Sequence, residues 1–235
     1  MMSNPAGPKV VVTRWWWVRH APVRSDGGNI YGQTDIACDT SDREVFEAVA
    51  KILPRKAVWY ASSLMRTHQT AEAIWATGFP RPAAMPREAA FAEQNMGRWQ
   101  GMNRAAFLAS LPVGTQWFTG VDEPAPGGES FMDLYNRTRG AIERINLEQG
   151  GQDVIAVAHG GTIRAAVGLA LGQPEKGLAF DIDNCSVTRL DHYASAEKSV
   201  WRLPMVNQQP WIADASHAAM HQPAGPEAAT ATKLA

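Results

Sequence analysis

The run DVIAVAH, from Asp153 to His159, is the feature of this sequence that most constrains its fold. Its residues are almost all apolar and lack the alternation of apolar and polar positions that marks a strand with one solvated face. The run therefore predicts a strand that is buried on both faces of a parallel sheet. The segment GGTIRAAVGLALG follows at once and predicts a helix, so the two form a unit of an α/β fold.

Other strands and helices are predicted from local patterns. RWWWVR, at 14–19, and AVWYAS, at 57–62, are rich in the bulky residues that pleated strands favour, and CSVTRL and SVWRLPMV are two later strands. The predicted helices are one capped by Asp39, Thr40 or Ser41 and ending near Leu53, one from about Leu64 to Gly78, a short one at 103–110, and one over 131–145. This order predicts a three-layer α/β/α fold around a mostly parallel central sheet.

The three consecutive tryptophans of the first strand have a structural explanation. Successive side chains of a strand point to opposite faces, so Trp15 and Trp17 are expected on one face and Trp16 on the other. A central strand that is covered by helices buries both faces. We therefore expect the tryptophans to pack inside the protein and to hold the following Arg19 and His20, without a membrane, sugar or nucleic acid as partner.

The chain is long enough for one domain with an elaborated insertion. Residues 1–9 are predicted to be a flexible lead, 10–206 a single domain, and 207–235 a loose, low-complexity tail. Within the domain, 79–128 is irregular and rich in Pro, Gly and Trp, and we expect this excursion to cover the functional site.

Composition excludes several classes of partner. The 235 residues carry a net charge of −1, which provides no overall field for nucleic acid or an anionic membrane surface. The two cysteines, Cys38 and Cys185, lie outside any metal-binding spacing, and no pattern calls for Mg²⁺, Zn²⁺ or another cofactor. The N-terminus has no signal-peptide pattern, so the cytoplasm is the expected compartment.

Basic residues follow three of the predicted strands. Arg19 and His20 end the first, Arg66 comes shortly after the second, and His159 ends the buried third. If the strands are adjacent, these residues converge at the carboxyl ends of the sheet, where α/β proteins bind ligands. Gathering potential cations costs repulsion and desolvation unless an anion completes the group, and arginine forks match phosphate. The backbone N–H groups at Gly160 add donors for a phosphoryl group.

A histidine in such a site has chemistry beyond binding. Neighbouring arginines favour its neutral form, which is the nucleophilic one. Transfer of a phosphoryl group to histidine needs a separate acid for the leaving oxygen. The segment FAEQNMGRWQG supplies Glu93, whose partly apolar surroundings favour the protonated form of an acid, although a solvated loop carboxylate is the simpler reading of Glu93 alone.

Six motifs occur in the order found in a known family: VRHAPV, YGQTD, SSLMRTHQTA, AEQNMGRWQG, PGGESFMDLYNRT and VAHGGTIR. The chain resembles the histidine phosphatase superfamily over about residues 12–190, in the branch that contains phosphoglycerate mutase and the α-ribazole phosphatases. The resemblance implies a phosphoglycerate mutase-like fold. The motifs are closest to α-ribazole phosphatase-like and broad-specificity phosphatases.

The resemblance also implies roles for individual residues. His20 matches the nucleophile that becomes phosphohistidine, and Glu93 matches the proton donor. Arg19, Arg66 and His159 match the phosphate pocket. The remaining motif positions are Gln33, Ser62 and Gly160, which are expected to help bind substrate, and Glu129 and Ser130 of the PGGES element, whose Glu is a candidate for a structural role.

Three positions depart from the family pattern. Ala21 replaces the usual glycine after the nucleophile, Val23 replaces a hydroxyl residue, and Ser63 stands where proline is common. Ala21 is acceptable if its φ is negative. Val23 lacks a hydroxyl that helps to hold the loop or the phosphate, which puts affinity and rate in question.

The resemblance predicts a histidine acid-type phosphatase, a metal-independent phosphomonoesterase that acts through phosphohistidine on a small phosphate ester. Its substrate is open, with α-ribazole phosphate and broad specificity as options, and its oligomeric state is unknown. One alternative is phosphoglycerate mutase-type transfer, against which the short excursion argues. Another is a phospholigand-binding or scaffold protein of weak activity, to which Val23 points. Trp99, Trp117 and Phe118 are candidates for stacking on a ring of the leaving group, with packing of the excursion as the other reading.

Overall fold

The computed structural model describes residues 10–113 and 120–213, which form a six-stranded mixed sheet. The strands lie in the order β3-β2-β4-β1-β5-β6. The first four strands along the chain are parallel to one another, β5 pairs antiparallel with β1, and β6 pairs antiparallel with β5 at the edge. The strands are β1 (Val11–Arg19), β2 (Val58–Ser62), β3 (Arg87–Glu88), β4 (Asp153–Ala158), β5 (Val187–Ala194) and β6 (Ser199–Gln208).

Helices cover both faces of this sheet, which confirms the predicted three-layer α/β/α fold. One face packs against α1 and α2, and the other packs against α4 and α5. The helices are α1 (Arg43–Ile52), α2 (Met65–Ala76), α3 (Arg104–Ala109), α4 (Phe131–Glu148) and α5 (Gly160–Leu171). Within the described ranges, no helix has both the length and the apolar character needed to cross a membrane.

The tryptophans of β1 are buried, as expected. Trp15 and Trp17 have no exposed surface and Trp16 only 8%. Trp15 and Trp17 stack on the face covered by α4 and α5, with ring centroids 5.2 Å apart, whereas Trp16 packs on the opposite face. Phe91 lies edge-on to both stacked rings, at 6.1 and 4.9 Å. The tryptophans therefore support both the end of β1 and the segment that leads to Glu93.

The cap of α1 differs from the predicted one. The helix is capped by Asp42, whose carboxylate accepts from the backbone N–H of Val45 at 3.4 Å. Asp39 is engaged elsewhere, because its carboxylate accepts from the backbone N–H of Ser41 at 2.9 Å and from Arg24 at 2.7 Å. These local contacts compete with capping, which explains the later start of the helix.

The predicted boundary of the tail at residue 207 is wrong. Strand β6 continues through Gln208, and a 3₁₀ turn over Pro210–Ala213 follows it. Trp211 is only 5% exposed and packs in the same core as α1, so apolar burial extends the domain to this turn. The predicted lead, 1–9, and the remainder of the predicted tail, 214–235, lie outside the described residues.

Candidate active site

His20 lies at the end of β1 and is 1% exposed. Its Nδ1 is 2.7 Å from the carbonyl oxygen of Ala21. Since a carbonyl only accepts, Nδ1 carries the proton, and the lone pair of the neutral ring is on Nε2. The backbone carbonyl of His20 in turn accepts from the side-chain amide of Asn184 at 2.8 Å. The ring is therefore fixed as the tautomer with a free electron pair on its outer nitrogen.

His159 follows β4, the strand beside β1, and its ring centroid is 5.1 Å from that of His20. Its Nδ1 accepts from Nε of Arg66 at 3.3 Å, and its Nε2 lies 2.7 Å from the hydroxyl of Ser62. The ring therefore donates from Nε2 to Ser62 in its neutral form. The three predicted strand ends do meet, because β2, β4 and β1 are neighbours.

Arg66 is in the first turn of α2 and has no exposed surface. Its Nη1 and Nη2 donate to the carbonyl oxygens of Thr34 and Gly32 at 2.8 and 2.7 Å. Its guanidinium also lies over the ring of Tyr31, at 5.1 Å. Each terminal nitrogen carries a second N–H, so Arg66 retains donors for an anion while the loop at 31–34 holds it in place.

Burial is the main reason why the pKa of each histidine lies well below its usual value. The positive charge of Arg66 lowers both further, and Arg19 adds to this effect. Both rings are therefore neutral at pH 7. A neutral His20 with its lone pair on Nε2 is competent as a nucleophile.

These low pKa values predict that the protein loses stability in acid. Below pH 6.5 the unfolded chain protonates both histidines while the folded protein keeps them neutral, so the free energy of unfolding falls as pH falls. The slope for two groups approaches about 2.7 kcal/mol per pH unit. Urea unfolding at pH 7.5, 6.5 and 5.5 measures how the free energy of unfolding depends on pH. The double variant His20→Asn/His159→Asn should lose the part of this dependence that comes from the two histidines. Equal slopes in the two proteins would contradict the assignment.

Glu93 lies on the loop of the excursion that faces the start of α5. Its Oε2 accepts from the backbone N–H of Gly161 at 3.2 Å, and its Oε1 accepts from that of Gln94 at 2.8 Å. A Cβ at Gly161 would overlap the Glu93 carboxylate, so any larger residue at this position would displace the Glu93 side chain. Glu93 is thus placed beside the same helix N-terminus that follows His159.

The loop of Glu93 is held by Arg137 of α4. Arg137 donates to the carbonyl oxygens of Ala90, Ala92 and Glu93 at 2.7 to 2.9 Å. Glu129 binds Arg137 through both of its carboxylate oxygens, at 2.8 and 2.9 Å. This contact fits the structural role for which Glu129 of the PGGES element was a candidate. Ser130 caps α4 and forms a capping box with Asp133.

Two residues predicted to help bind substrate contact other residues of the site. The side-chain amide of Gln33 donates to the backbone carbonyl of Glu93 at 2.8 Å, and Ser62 is fully buried against His159. Both therefore hold a neighbouring residue in place. Gly160, by contrast, lines the cavity beside the site.

That cavity has a volume of about 240 Å³. Its lining comprises Arg19, Ile30, Tyr31, Gly32, Glu93, Met96, Arg104, Gly160, Gly161 and Arg164. His20 and Arg66 do not line it, but both are buried against Tyr31, which does, and the buried His159 precedes the lining residue Gly160. Glu93 and Met96 belong to the segment 79–128 that was called the excursion. Sequence reasoning missed Arg104 and Arg164. Arg164 had a usable signal, since it stands four residues after Gly160 in the VAHGGTIR motif and thus on the same helix face.

The segment 181–186 also contacts the end of β1. The Ile182 carbonyl accepts from Nη1 of Arg19 at 2.5 Å, and the backbone N–H of Cys185 donates to the Arg19 carbonyl at 3.0 Å. Asn207 of β6 fixes this segment by two hydrogen bonds to Asp183, at 2.6 and 2.8 Å. Cys185 and Asn207 are the non-glycine residues with positive φ in the described part of the chain, at 61° and 55°. We call 181–186 with Asn207 the clamp.

The departures at Ala21 and Val23 have different consequences. Ala21 is not among the positive-φ residues, so its methyl group causes no backbone strain, and its N–H donates to Thr70 at 2.8 Å. Nothing in the structure explains Val23.

Trp99 packs on Phe107 with ring centroids 4.9 Å apart, whereas Trp117 and Phe118 lie outside the described residues.

Comparison with known proteins decides the family. Residues 15–203 match the profile of the histidine phosphatase superfamily (branch 1). The chain belongs to this superfamily. The resemblance that six ordered motifs predicted is confirmed over most of the domain.

The relatives of this histidine phosphatase superfamily member include enzymes with two reaction types. A glucosyl-3-phosphoglycerate phosphatase of Mycolicibacterium vanbaalenii is 27% identical over 223 residues, covering 86% of this chain and 98% of that protein. A 2,3-bisphosphoglycerate-dependent phosphoglycerate mutase 2 of Gloeobacter violaceus is 29% identical over 180 residues, covering 74% and 82%. The native structure of a mycobacterial glucosyl-3-phosphoglycerate phosphatase has a TM-score of 0.70 at 25% identity, over 83% of this chain and 99% of that one. Family membership alone therefore leaves hydrolysis and transfer to be separated.

Proposed function

We propose that the protein is a metal-independent phosphomonoesterase that acts on a small phosphorylated metabolite through a phosphohistidine intermediate. The observation that carries this proposal is His20, a buried neutral ring whose Nδ1 proton is held by the Ala21 carbonyl. Its Nε2 electron pair is left for phosphorus, in a group that also contains two arginines and a second neutral histidine. Family membership and the phosphatases among the relatives support the same reaction class.

In the first step, Nε2 of His20 attacks phosphorus in line with the ester oxygen. The N–P bond forms, the P–O bond breaks, and protonated Glu93 transfers its proton to the departing alkoxide. Arg19 and Arg66 stabilise the charge on the equatorial oxygens. The second neutral histidine, His159, holds Arg66 toward the phosphoryl group by accepting from its Nε, and it adds no further positive charge beside the nucleophile.

In the second step, a water molecule attacks the phosphoryl group from the side that the alcohol has left. The Glu93 carboxylate removes a proton from this water, the O–P bond forms, and the N–P bond breaks. Inorganic phosphate leaves, and both His20 and Glu93 return to their starting protonation states. Glu93 gives one proton to the alcohol and regains one from the attacking water, so the cycle needs no other proton source.

A substrate panel in the presence of EDTA tests this proposal. We expect inorganic phosphate to be released from several small esters, α-ribazole phosphate being one member of the panel, with rates that EDTA does not change. 3-Phosphoglycerate is assayed in parallel for isomerised product and for free phosphate. Faster isomerisation than hydrolysis would replace the proposal by mutase-type transfer. Binding of phosphate esters with no turnover and no phosphohistidine would replace it by a ligand-binding role.

A further inference from the structure

The end of β6 carries a polar residue in an unusual backbone conformation. The pairing of β5 with β6 is irregular there, because two residues of β6, Val206 and Asn207, lie opposite the single residue Thr188. Asn207 has a φ of 55°, a left-handed conformation that asparagine adopts more readily than most residues. Its backbone N–H donates to the Thr188 hydroxyl at 3.0 Å. The bulge takes Asn207 out of the regular ladder and aims its side chain at the segment that precedes β5.

The Asn207 side chain makes a two-point contact with Asp183. Its Oδ1 accepts from the Asp183 backbone N–H at 2.6 Å, and its Nδ2 donates to Oδ2 of Asp183 at 2.8 Å. The side-chain amide of Gln209 donates to the same carboxylate oxygen at 2.7 Å. The backbone N–H of Ser186 donates to the Asp183 carbonyl at 3.1 Å, which closes the segment on itself. Asp183 is therefore the point at which the end of β6 holds the clamp.

The same segment holds the main chain of Arg19 and His20. The side-chain amide of Asn184 donates to the His20 carbonyl at 2.8 Å. The backbone N–H of Cys185 donates to the Arg19 carbonyl at 3.0 Å, and the Arg19 N–H donates to the Ser186 carbonyl at 3.2 Å. Three hydrogen bonds thus connect the clamp to two residues that the proposed reaction uses.

We infer that Asn207 is a positioning residue that fixes His20 through the clamp. Asp183 and Asn184 carry its effect to the His20 carbonyl. This inference rests on the proposed phosphatase reaction, in which Nε2 of His20 has to be aligned with phosphorus. A small displacement of a reacting group lowers the rate steeply, because attack requires a particular distance and angle. Asn207 and Asp183 are not part of the cavity lining, so both act on the reaction through the clamp.

An exchange of hydrogen-bond donor and acceptor between positions 207 and 183 tests the inference. Asn207→Asp keeps a side chain that tolerates positive φ but places two carboxylates together. We expect it to lower the single-turnover rate of phosphoryl transfer to His20, at saturating ester, by about 10-fold or more. Asp183→Asn alone keeps an oxygen for both donors and should stay within about threefold of wild type. The double variant Asn207→Asp/Asp183→Asn places an amide opposite a carboxylate again and should return the rate to within about threefold of wild type.

Ser195→Ala is the matched control, because Ser195 lies at the other end of the same β5–β6 hairpin. Its hydroxyl donates to the Lys198 carbonyl at 3.1 Å and accepts from the backbone N–H groups of Glu197 and Lys198. This variant should lower the thermal midpoint and leave the transfer rate unchanged. All rates are measured well below the thermal midpoint of each variant, so a loss of stability alone does not reproduce the effect of Asn207→Asp.

A second variant keeps the test decisive if Asn207→Asp does not fold. Asn184→Ala removes the last hydrogen bond of the path, and we expect it to lower the transfer rate by about 10-fold. An unchanged rate in folded Asn207→Asp, a folded double variant that stays slow, or an unchanged rate in Asn184→Ala overturns the inference. Turnover by the wild-type protein leaves the proposed function standing in each of these cases. A wild-type protein that releases no phosphate and takes no label on His20 removes both.

Discussion

Replacement of His20 by alanine is expected to lower kcat/KM by about 10⁴-fold or more, because no other side chain in the described site can act as the nucleophile at this position. The fold should survive, since the main chain keeps its hydrogen bonds to Ala158 and Asn184. Turnover is measured as phosphate released from p-nitrophenyl phosphate. Circular dichroism and the thermal midpoint check that the variant is folded.

The intermediate itself supplies a second readout for His20. Rapid mixing with a labelled ester, followed by quenching at neutral pH, should trap label on the wild-type protein and none on His20→Ala. Acid quenching is unsuitable because phosphohistidine is acid-labile. His192→Ala is the matched control, since His192 lies on β5 beside Trp201, and it should retain both label and turnover. Turnover of His20→Ala within tenfold of wild type would remove His20 as the nucleophile.

The Glu93→Gln variant should separate substrates by the quality of their leaving group. An alkoxide needs a proton as it departs, so kcat for an alkyl phosphate is expected to fall about 10²- to 10³-fold. The p-nitrophenolate ion leaves without protonation, and its ester should lose less than about tenfold in the first step. Glutamine keeps an oxygen for only one of the two backbone N–H groups that Glu93 accepts from, but the Glu93 carbonyl still accepts from Gln33 and Arg137, so the loop should keep its position.

Single-turnover kinetics make the Glu93 experiment specific to the acid step. A single turnover reports the rate of phosphoryl transfer to His20, before the intermediate is hydrolysed. In the later hydrolysis step Glu93 is proposed to act as a base, and the rate of that step should fall equally for both esters. Equal losses for both esters in the first turnover would contradict the acid role of Glu93. A loss confined to KM would indicate that Glu93 only positions substrate.

The sequence predicted the central geometry because it depends on topology. Three apolar strands that are each followed by a basic residue had to place those residues together once the strands were neighbours. The order β2-β4-β1 meets that condition and brings Arg66, His159 and His20 to one edge. The periodicity of apolar residues in the strands and helices also predicted the three layers, and it predicted that Trp16 lies on the opposite face of β1 from Trp15 and Trp17.

The parts that were missed depend on contacts between distant, irregular segments. Arg104 and Arg164 line the cavity only because a loop and a helix meet there, and no local pattern encodes that meeting. The clamp on Arg19 comes from residues about 160 positions away, and its hydrogen bonds leave no periodic signal. The tail boundary failed for a similar reason, since Trp211 is buried by tertiary packing within an otherwise polar segment.

The clamp also determines at what stage of synthesis the chain can orient Arg19 and His20. Residues 19 and 20 leave the ribosome early, but the groups that hold them, Ile182 and Asn184, are 163 and 164 residues later in the chain. Asn207, which fixes the clamp through Asp183, follows later still. A nascent chain therefore carries His20, the proposed nucleophile, long before the residues that orient it are made. We therefore expect His20 to be oriented only after β6 has joined the sheet, and chains that end before β6 should not release phosphate from esters.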